Sequence, residues 1–254
     1  AQNDGSARAI TIRTRKGSIV DCVSPVPVTG CTTFTGAVII EAVLRALEKA
    51  APDGSLAGFS RRFRFVIAGK DRDGEHYIWH YFSNRGGAGA NTREDGWTNL
   101  GCVHNPGGSL SPSVERTEAG FPFLIESYEL KTDSGGAGYR RGGLGGVYKL
   151  RYEGTADALL NAAGEGLVVA PHGVDGGAPG ALHIYHIVRR DGTRIALGIR
   201  DTSVRIAPGD VLICESAGGG GYGDARERER ELVRRDIDYG YVSADAVRTF
   251  YGND

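Results

Sequence analysis

Along most of the chain, apolar and polar residues alternate in short runs, the period of a strand with one buried face. "AITIRT" (9–14) and "GSIVDCV" (17–23) open in this way. "RRFRFVIAG" and "EHYIWHYF" flank Asp73-Gly74, and "LHIYHIVRR" and "TRIALGI" flank Asp191-Gly192. An Asp-Gly pair between two such runs predicts a hairpin, because the turn needs residues that tolerate positive φ. "FLIESYEL" (123–130), "VYKLRY" (147–152), "LVVA" (167–170), "SVRIA" (203–207) and "DVLICES" (210–216) complete the strand-like set. A helical period occurs in three places. Thr35 is placed to cap a helix reaching about Ala50, with Ile39, Val43, Ala46 and Ala50 on one stripe and Pro52 ending it. Asp224, with Glu227 three residues on, is placed to cap a second that turns Leu232, Val233 and Ile237 inward, and Ser243 a short third stopping at Gly252. The pattern predicts an α+β fold, β-rich, with mainly antiparallel sheets and few helices near the N- and C-terminal ends. With no fixed repeat and no linker-like stretch, residues 1–254 read as one unit.

Composition adds one anomaly. Glycine occupies 40 of 254 positions, roughly twice its ordinary share. The glycines cluster at 86–89, 135–146, 173–180 and 218–223 between segments of normal complexity, which predicts tight corners in an ordered protein. A formal charge of −1 gives no electrostatic case for nucleic acid or an anionic membrane surface. The longest apolar stretch, "GAVIIEAVLRALEKAA" (36–51), is interrupted by Glu41 and Arg45 and does not read as a membrane span. Four cysteines (22, 31, 102 and 214) without a CxxC pair fit reduced thiols and a cytoplasmic location. A chain that opens at Ala1 and contains no Met fits either removal of an initiator or cleavage of a precursor.

Candidate chemistry thins out when each motif meets its plainer alternative. Gly218, Gly220 and Gly223 match the dinucleotide pattern GxGxxG, between a strand and a helix. The chain then ends after one more short helix, without the second parallel strand of a βαβ unit, so a structural glycine corner over Gly218, Gly219, Gly220, Gly221 and Gly223 is the better reading. Gly69-Lys70 is followed by Asp71, so it is no Walker A loop. His76 and His80 lie four apart on a predicted strand, about 13 Å, too far to share one ion. His183 and His186 sit on opposite faces of theirs. His104 and His172, in Gly/Pro-rich loops, are better placed to lie near a site. Cys31 precedes a helix but has no local base, there is no GxSxG elbow, and "RERERELVRR" reads as a solvated helix face. No spacing of His, Cys or carboxylates predicts a metal site in this chain.

The stretch "KTDSGGAGYRRGGLGG" (131–146) is more specific, with Asp133, Ser134 and Arg141 set among glycines as candidates to brace a long loop or face a ligand or a neighbouring chain. It resembles the signature of the hydantoinase B family, the B-type subunits of ATP-dependent hydantoinases, oxoprolinases and ketone carboxylases. "NDGSARAITI", "GSIVDCVSPVPV", "GGAGANTREDG", "SPSVERTEAGFP", "DGGAPG", "APGDVL" and "GGGGYGDARER…GYVSADAVRTFYG" follow in that family's order. Tyr139-Arg140 stands where the family has a Lys-aromatic pair. The resemblance covers the C-terminal half of a B-type subunit. It implies a subunit of a multisubunit ATP-dependent enzyme that hydrolyses a cyclic amide, or alternatively one that carboxylates an acetone- or acetophenone-like ketone. A non-catalytic assembly scaffold is the third reading and an independent nucleotide-binding protein the weakest. The resemblance places no cofactor in this chain. It implies ATP on an A-type partner subunit, and a divalent metal (Zn, Mn or Fe) on a chain resembling the N-terminal half of the B-type subunit.

Overall fold

A computed structural model describes residues 5, 8, 10–28, 30, 33–51, 54–81, 84–103 and 111–252. Cys31, Pro52 and His104 lie outside the described residues. Among the described residues, nine strands form two antiparallel sheets. The first orders β2 (His76–Tyr81), β1 (Phe63–Lys70), β5 (Ala158–Gly164) and β8 (Arg200–Ile206). The second orders β3 (Phe123–Leu130), β4 (Gly146–Tyr152), β9 (Val211–Glu215), β6 (Ile184–Val188) and β7 (Arg194–Ala196). Alternate residues of both sheets turn into one core, so Phe63, Phe65, Ile67 and Leu160 meet Tyr148, Leu150, Tyr185 and Leu212. Aromatic rings bridge the layers. Phe63 stacks on Tyr185 at 4.1 Å between centroids, and Tyr81 on Tyr148 at 5.7 Å. The fold is α+β, two antiparallel sheets with few helices.

Both Asp-Gly hairpins form, with Gly74 and Gly192 at φ of 86° and 85°. Strand β5 is absent from the sequence reading because "ALLNAAG" is poor in β-branched and aromatic residues. Small side chains suit it, since Ala158 lies directly under Gly69. "LVVA" is a loop, not a strand. "AITIRT" and "GSIVDCV" also form no ladder: over residues 10–28 the one bridge is Ser18 with Asp21.

Helix α1 (Thr35–Leu47) begins one residue earlier than a Thr35 cap requires, after Phe34 and without a side-chain cap. Its expected core stripe faces the wrong way. Ala37 and Glu41 are buried, whereas Ile39, Ile40, Val43 and Leu47 are exposed. Helix α2 (Val114–Gly120), capped by Ser113, is a further helix in mid-chain. Asp224 caps only a 3₁₀ turn (Ala225–Glu227); α3 (Arg230–Asp238) follows and buries Val233 and Asp236, while Ile237 is exposed. Ser243 caps α4 (Ala244–Ala246), which continues as a π turn to Tyr251 before Gly252.

The glycine clusters meet in a second body beside the sandwich. The N–H groups of Gly219, Gly220, Gly221 and Tyr222 donate in turn to the carbonyls of Gly143, Gly58, Ala178 and Arg140. Three successive residues reach three different segments, and the fourth returns to the loop of the first. That three-residue period is the mark of polyproline-II-type extended backbone, not of a pleated strand with period two. Backbones bonded on three sides lie too close for side chains: a Cβ on Gly219 would stand 1.8 Å from the Ala88 carbonyl oxygen, and one on Gly143 2.1 Å from that of Trp97. Of the expected corner glycines, only Gly223 (φ 72°) has left-handed backbone. Gly218 to Gly221 are needed for close approach, in a run rather than at a corner.

Candidate functional site

The loop between β3 and β4 is held at both ends by the C-terminal helices. Asp133, at φ 61°, donates its N–H to the Tyr241 carbonyl at 3.0 Å, and its carboxylate accepts from Ser243 N–H at 2.8 Å, at the start of α4. Ser134 is fully buried and closes the loop base, donating to the Lys131 carbonyl and accepting from Gly145 N–H at 3.0 Å. Arg141 is buried as well. Its Nε meets Asp236 Oδ2 at 3.2 Å, its side chain donates to the Gly142 carbonyl at 2.6 Å, and its guanidinium lies 5.3 Å from the Tyr241 ring centroid. Asp133 and Arg141 therefore do not pair with each other; each is bonded within the chain.

Three residues that sequence reasoning missed complete this centre. Arg228 clamps both oxygens of Asp95 at 2.7 Å each and reaches Asp236 Oδ2 at 2.8 Å, while Asp95 Oδ1 also accepts Arg141 N–H at 2.8 Å. Two guanidiniums and two carboxylates thus neutralise each other. Burial pushes the Asp95 carboxyl up, but the Arg228 hydrogen bonds and charge, with Arg141, outweigh it and hold the group below the ordinary range. The available signal was an Asp within the apolar stripe of α3. Beside this centre, Arg140 lies over the Tyr139 ring at 4.6 Å, where the family pattern has its Lys-aromatic pair.

A second polar cluster lies beneath α1. Glu41 accepts from Phe59 N–H at 3.2 Å and pairs with Arg61 at 3.0 Å. Glu165 has one carboxylate oxygen buried without a hydrogen-bond partner among the described residues, and so has His172 its Nε2. Burial, reinforced by Glu41 and countered by Arg61, leaves Glu165 pushed up to about 7. Burial also lowers His172, with Arg45 and Arg61 adding to it and Glu48 opposing. Because folding raises the Glu165 pKa, its ionisation costs stability progressively as pH rises from the ordinary carboxylate range to about 7. Glu165→Gln is expected to stabilise the isolated chain at pH 8 and to have no such effect at pH 4, measured by denaturant unfolding at both.

His183 is inert by construction. Its Nε2–H donates to the Arg61 carbonyl at 2.7 Å, and its Nδ1 accepts from Ala217 N–H at 3.0 Å and the Tyr185 hydroxyl at 2.9 Å. Burial lowers it to about 4, so it stays neutral. His183→Leu should cost about 2–3 kcal/mol through the partners it strands, seen as a lower melting temperature. His76 and His80 lie exposed on β2.

A phosphate cradle needs free N–H groups, and those of Gly219, Gly220 and Gly221 are spent on backbone carbonyls. Among the described residues no three His, Cys, Asp or Glu side chains gather as a metal centre requires. Among them, too, no helix is long and apolar enough to cross a membrane.

Known proteins share this architecture. The chain is 33% identical to the caprolactamase beta subunit of Pseudomonas jessenii over 98% of its own length and 44% of that protein's. It is 25% identical to the B-type component of a putative D-/L-hydantoinase of Pseudomonas sp., over 99% of this chain and 41% of that one. The crystal structure of the P. jessenii ATP-dependent caprolactamase superimposes with a TM-score of 0.86 at 30% identity, over 99% of this chain and 44% of that chain. A nucleotide-free acetone carboxylase structure shares the fold, with a TM-score of 0.67 at 21% identity, over 80% of this chain and 31% of that chain. The chain thus spans less than half the length of these relatives. With the family model described as hydantoinase B/oxoprolinase matching residues 1–225, the chain belongs to the hydantoinase B/oxoprolinase family.

Proposed function

We propose that this chain is part of a multisubunit enzyme that hydrolyses a cyclic amide at the expense of ATP. The observation that carries the reading is the match to the caprolactamase beta subunit along nearly the whole chain, in sequence and in fold. The likeness to acetone carboxylase is lower on both counts, so ketone carboxylation is the second reading. The reading is supported by the N–H groups of Gly219, Gly220 and Gly221 being spent on backbone carbonyls, and by no three ligating side chains gathering among the described residues. ATP is therefore assigned to an A-type subunit, and a divalent metal (Zn, Mn or Fe) to a chain resembling the N-terminal half of the B-type subunit, in a cytoplasmic complex. This chain contributes a rigid, buried-backbone body on which that assembly is built.

The test is turnover by the assembly purified from the native host. Caprolactam, hydantoin and 5-oxoproline are each supplied with ATP, and ADP and the ring-opened acid are measured together. Hydrolysis of at least one, dependent on ATP, is expected from the assembly and none from the separated chain. Bicarbonate-dependent consumption of acetone would replace hydrolysis with carboxylation, and turnover by the chain alone would refute the division of labour. Elemental analysis of the separated chain should find substoichiometric zinc, manganese and iron beside a loaded assembly.

A further inference from the structure

Helix α1 is built inside out. Its inward stripe carries Glu41, 6% exposed, while Val43 and Leu47 on the outward stripe are 53% and 52% exposed and Ile39 and Ile40 lie beside them. Burying a carboxylate while wetting four aliphatic side chains opposes the usual partition, in which such side chains each gain about 1.5–3 kcal/mol on burial. Two further stretches expose aliphatic side chains. The loop after β5 exposes Val168, at 79%, and Val169, and runs into His172, which feels the charges of Arg45 in α1 and of Glu48 just after it. Residues 10–28 precede α1 in the sequence with Ile10, Ile12, Ile19, Val20, Val23, Val26 and Val28 exposed, and their alternating strand pattern joins no ladder among the described residues. Two buried polar atoms without a hydrogen-bond partner among the described residues, an oxygen of Glu165 and Nε2 of His172, lie beneath α1.

We infer that the outward stripe of α1, with Val168–Val169 and the 10–28 arm, is the docking face for the polypeptide that supplies the part of a B-type subunit this chain does not span. The inference rests on the subunit reading above and adds where the partner binds. Length identifies the occupant. The same fold, over 99% of this chain, is carried in caprolactamase by a chain more than twice as long, and α1 and the 165–172 loop both fall inside the family match. An aliphatic surface on that partner would cover the stripe, and a strand edge would take up the arm. A donor beside Glu165 and a group bonding His172 would satisfy the two orphaned atoms.

The test uses the tagged chain in its native host, with the photo-crosslinker p-benzoylphenylalanine placed at Val43 or at Val168. Irradiated complexes are purified and the joined peptides sequenced. Crosslinks from both positions to a hydantoinase B-type polypeptide covering the segment that this chain lacks are expected. Crosslinks to a second copy of this chain or to the ATP-binding subunit, or none from an intact complex, would overturn the docking face and leave the subunit reading standing. Absence of any hydantoinase-type chain from the complex would overturn both. Val43→Asp should lower recovery of that partner at least tenfold while leaving the melting temperature of the separated chain unchanged. Undiminished recovery of the partner with Val43→Asp would also overturn the face.

Discussion

Replacing Gly219 by alanine is expected to remove a large part of the fold's stability, although it adds a single methyl group. The new Cβ would stand 1.8 Å from the Ala88 carbonyl oxygen and 2.2 Å from its carbon, both backbone atoms with no rotamer to move. Relief requires the two segments to part by more than an ångström. That breaks the bond from Gly219 N–H to the Gly143 carbonyl (2.9 Å) and the one from Gly136 N–H to the Gly219 carbonyl (2.8 Å). Each buried backbone group left unpaired costs about 1–3 kcal/mol. The loss is therefore on the order of 4 kcal/mol or more, a large part of a domain's ~5–15 kcal/mol. Gly120→Ala supplies the contrast. A Cβ there meets nothing within 4 Å, and the position closes α2, so its effect should stay within about 1 kcal/mol. Soluble yield and thermal melts of the two variants decide the matter. A wild-type melt for Gly219→Ala would mean that these backbones do not approach as described.

The same contrast shows what the sequence could convey. The sandwich was legible because its code is local: alternation marks Phe63, Phe65 and Ile67 as one face, and Asp73-Gly74 sets the turn that follows. The glycine body was legible only as an excess of glycine. Its bonds join residues as far apart as Gly58, Gly143, Ala178 and Gly220, and glycine carries no side-chain pattern to say which segments meet. Helix α1 misled for a different reason. Its periodicity was real, but the pattern gives the apolar stripe without saying whether this chain or another covers it. At the loop site, the motif singled out Asp133, Ser134 and Arg141 but not what they would bond. The partners of Asp133 and Arg141, namely Tyr241, Ser243 and Asp236, lie about a hundred residues downstream, with no spacing rule to connect them.

The second large effect is expected at Arg228. Its side chain is wholly buried and joins Asp95 to Asp236, tying the 91–97 segment to α3. In Arg228→Met, the stem is kept and the charge removed, leaving Asp236 with the Arg141 guanidinium and Asp95 with the Arg141 backbone N–H and the half-exposed Arg235 at 4.0 Å. Breaking a buried charged group in this way typically costs about 3–5 kcal/mol, because the stranded partners keep their desolvation penalty. For a chain of this size that is a fall in melting temperature on the order of 10 °C. The pH dependence follows from Asp95. Its carboxyl is held below the ordinary value in the folded protein, so it stabilises the fold above the unfolded pKa, and the contribution is lost as pH falls through the folded one. Arg228→Met should shrink that acid-side slope as well as lower the whole curve, whereas a variant that merely loosens packing would lower it uniformly. Denaturant unfolding of both proteins between pH 3 and pH 7 separates the two. Parallel curves would show that Arg228 acts there through its bulk and not through its charge.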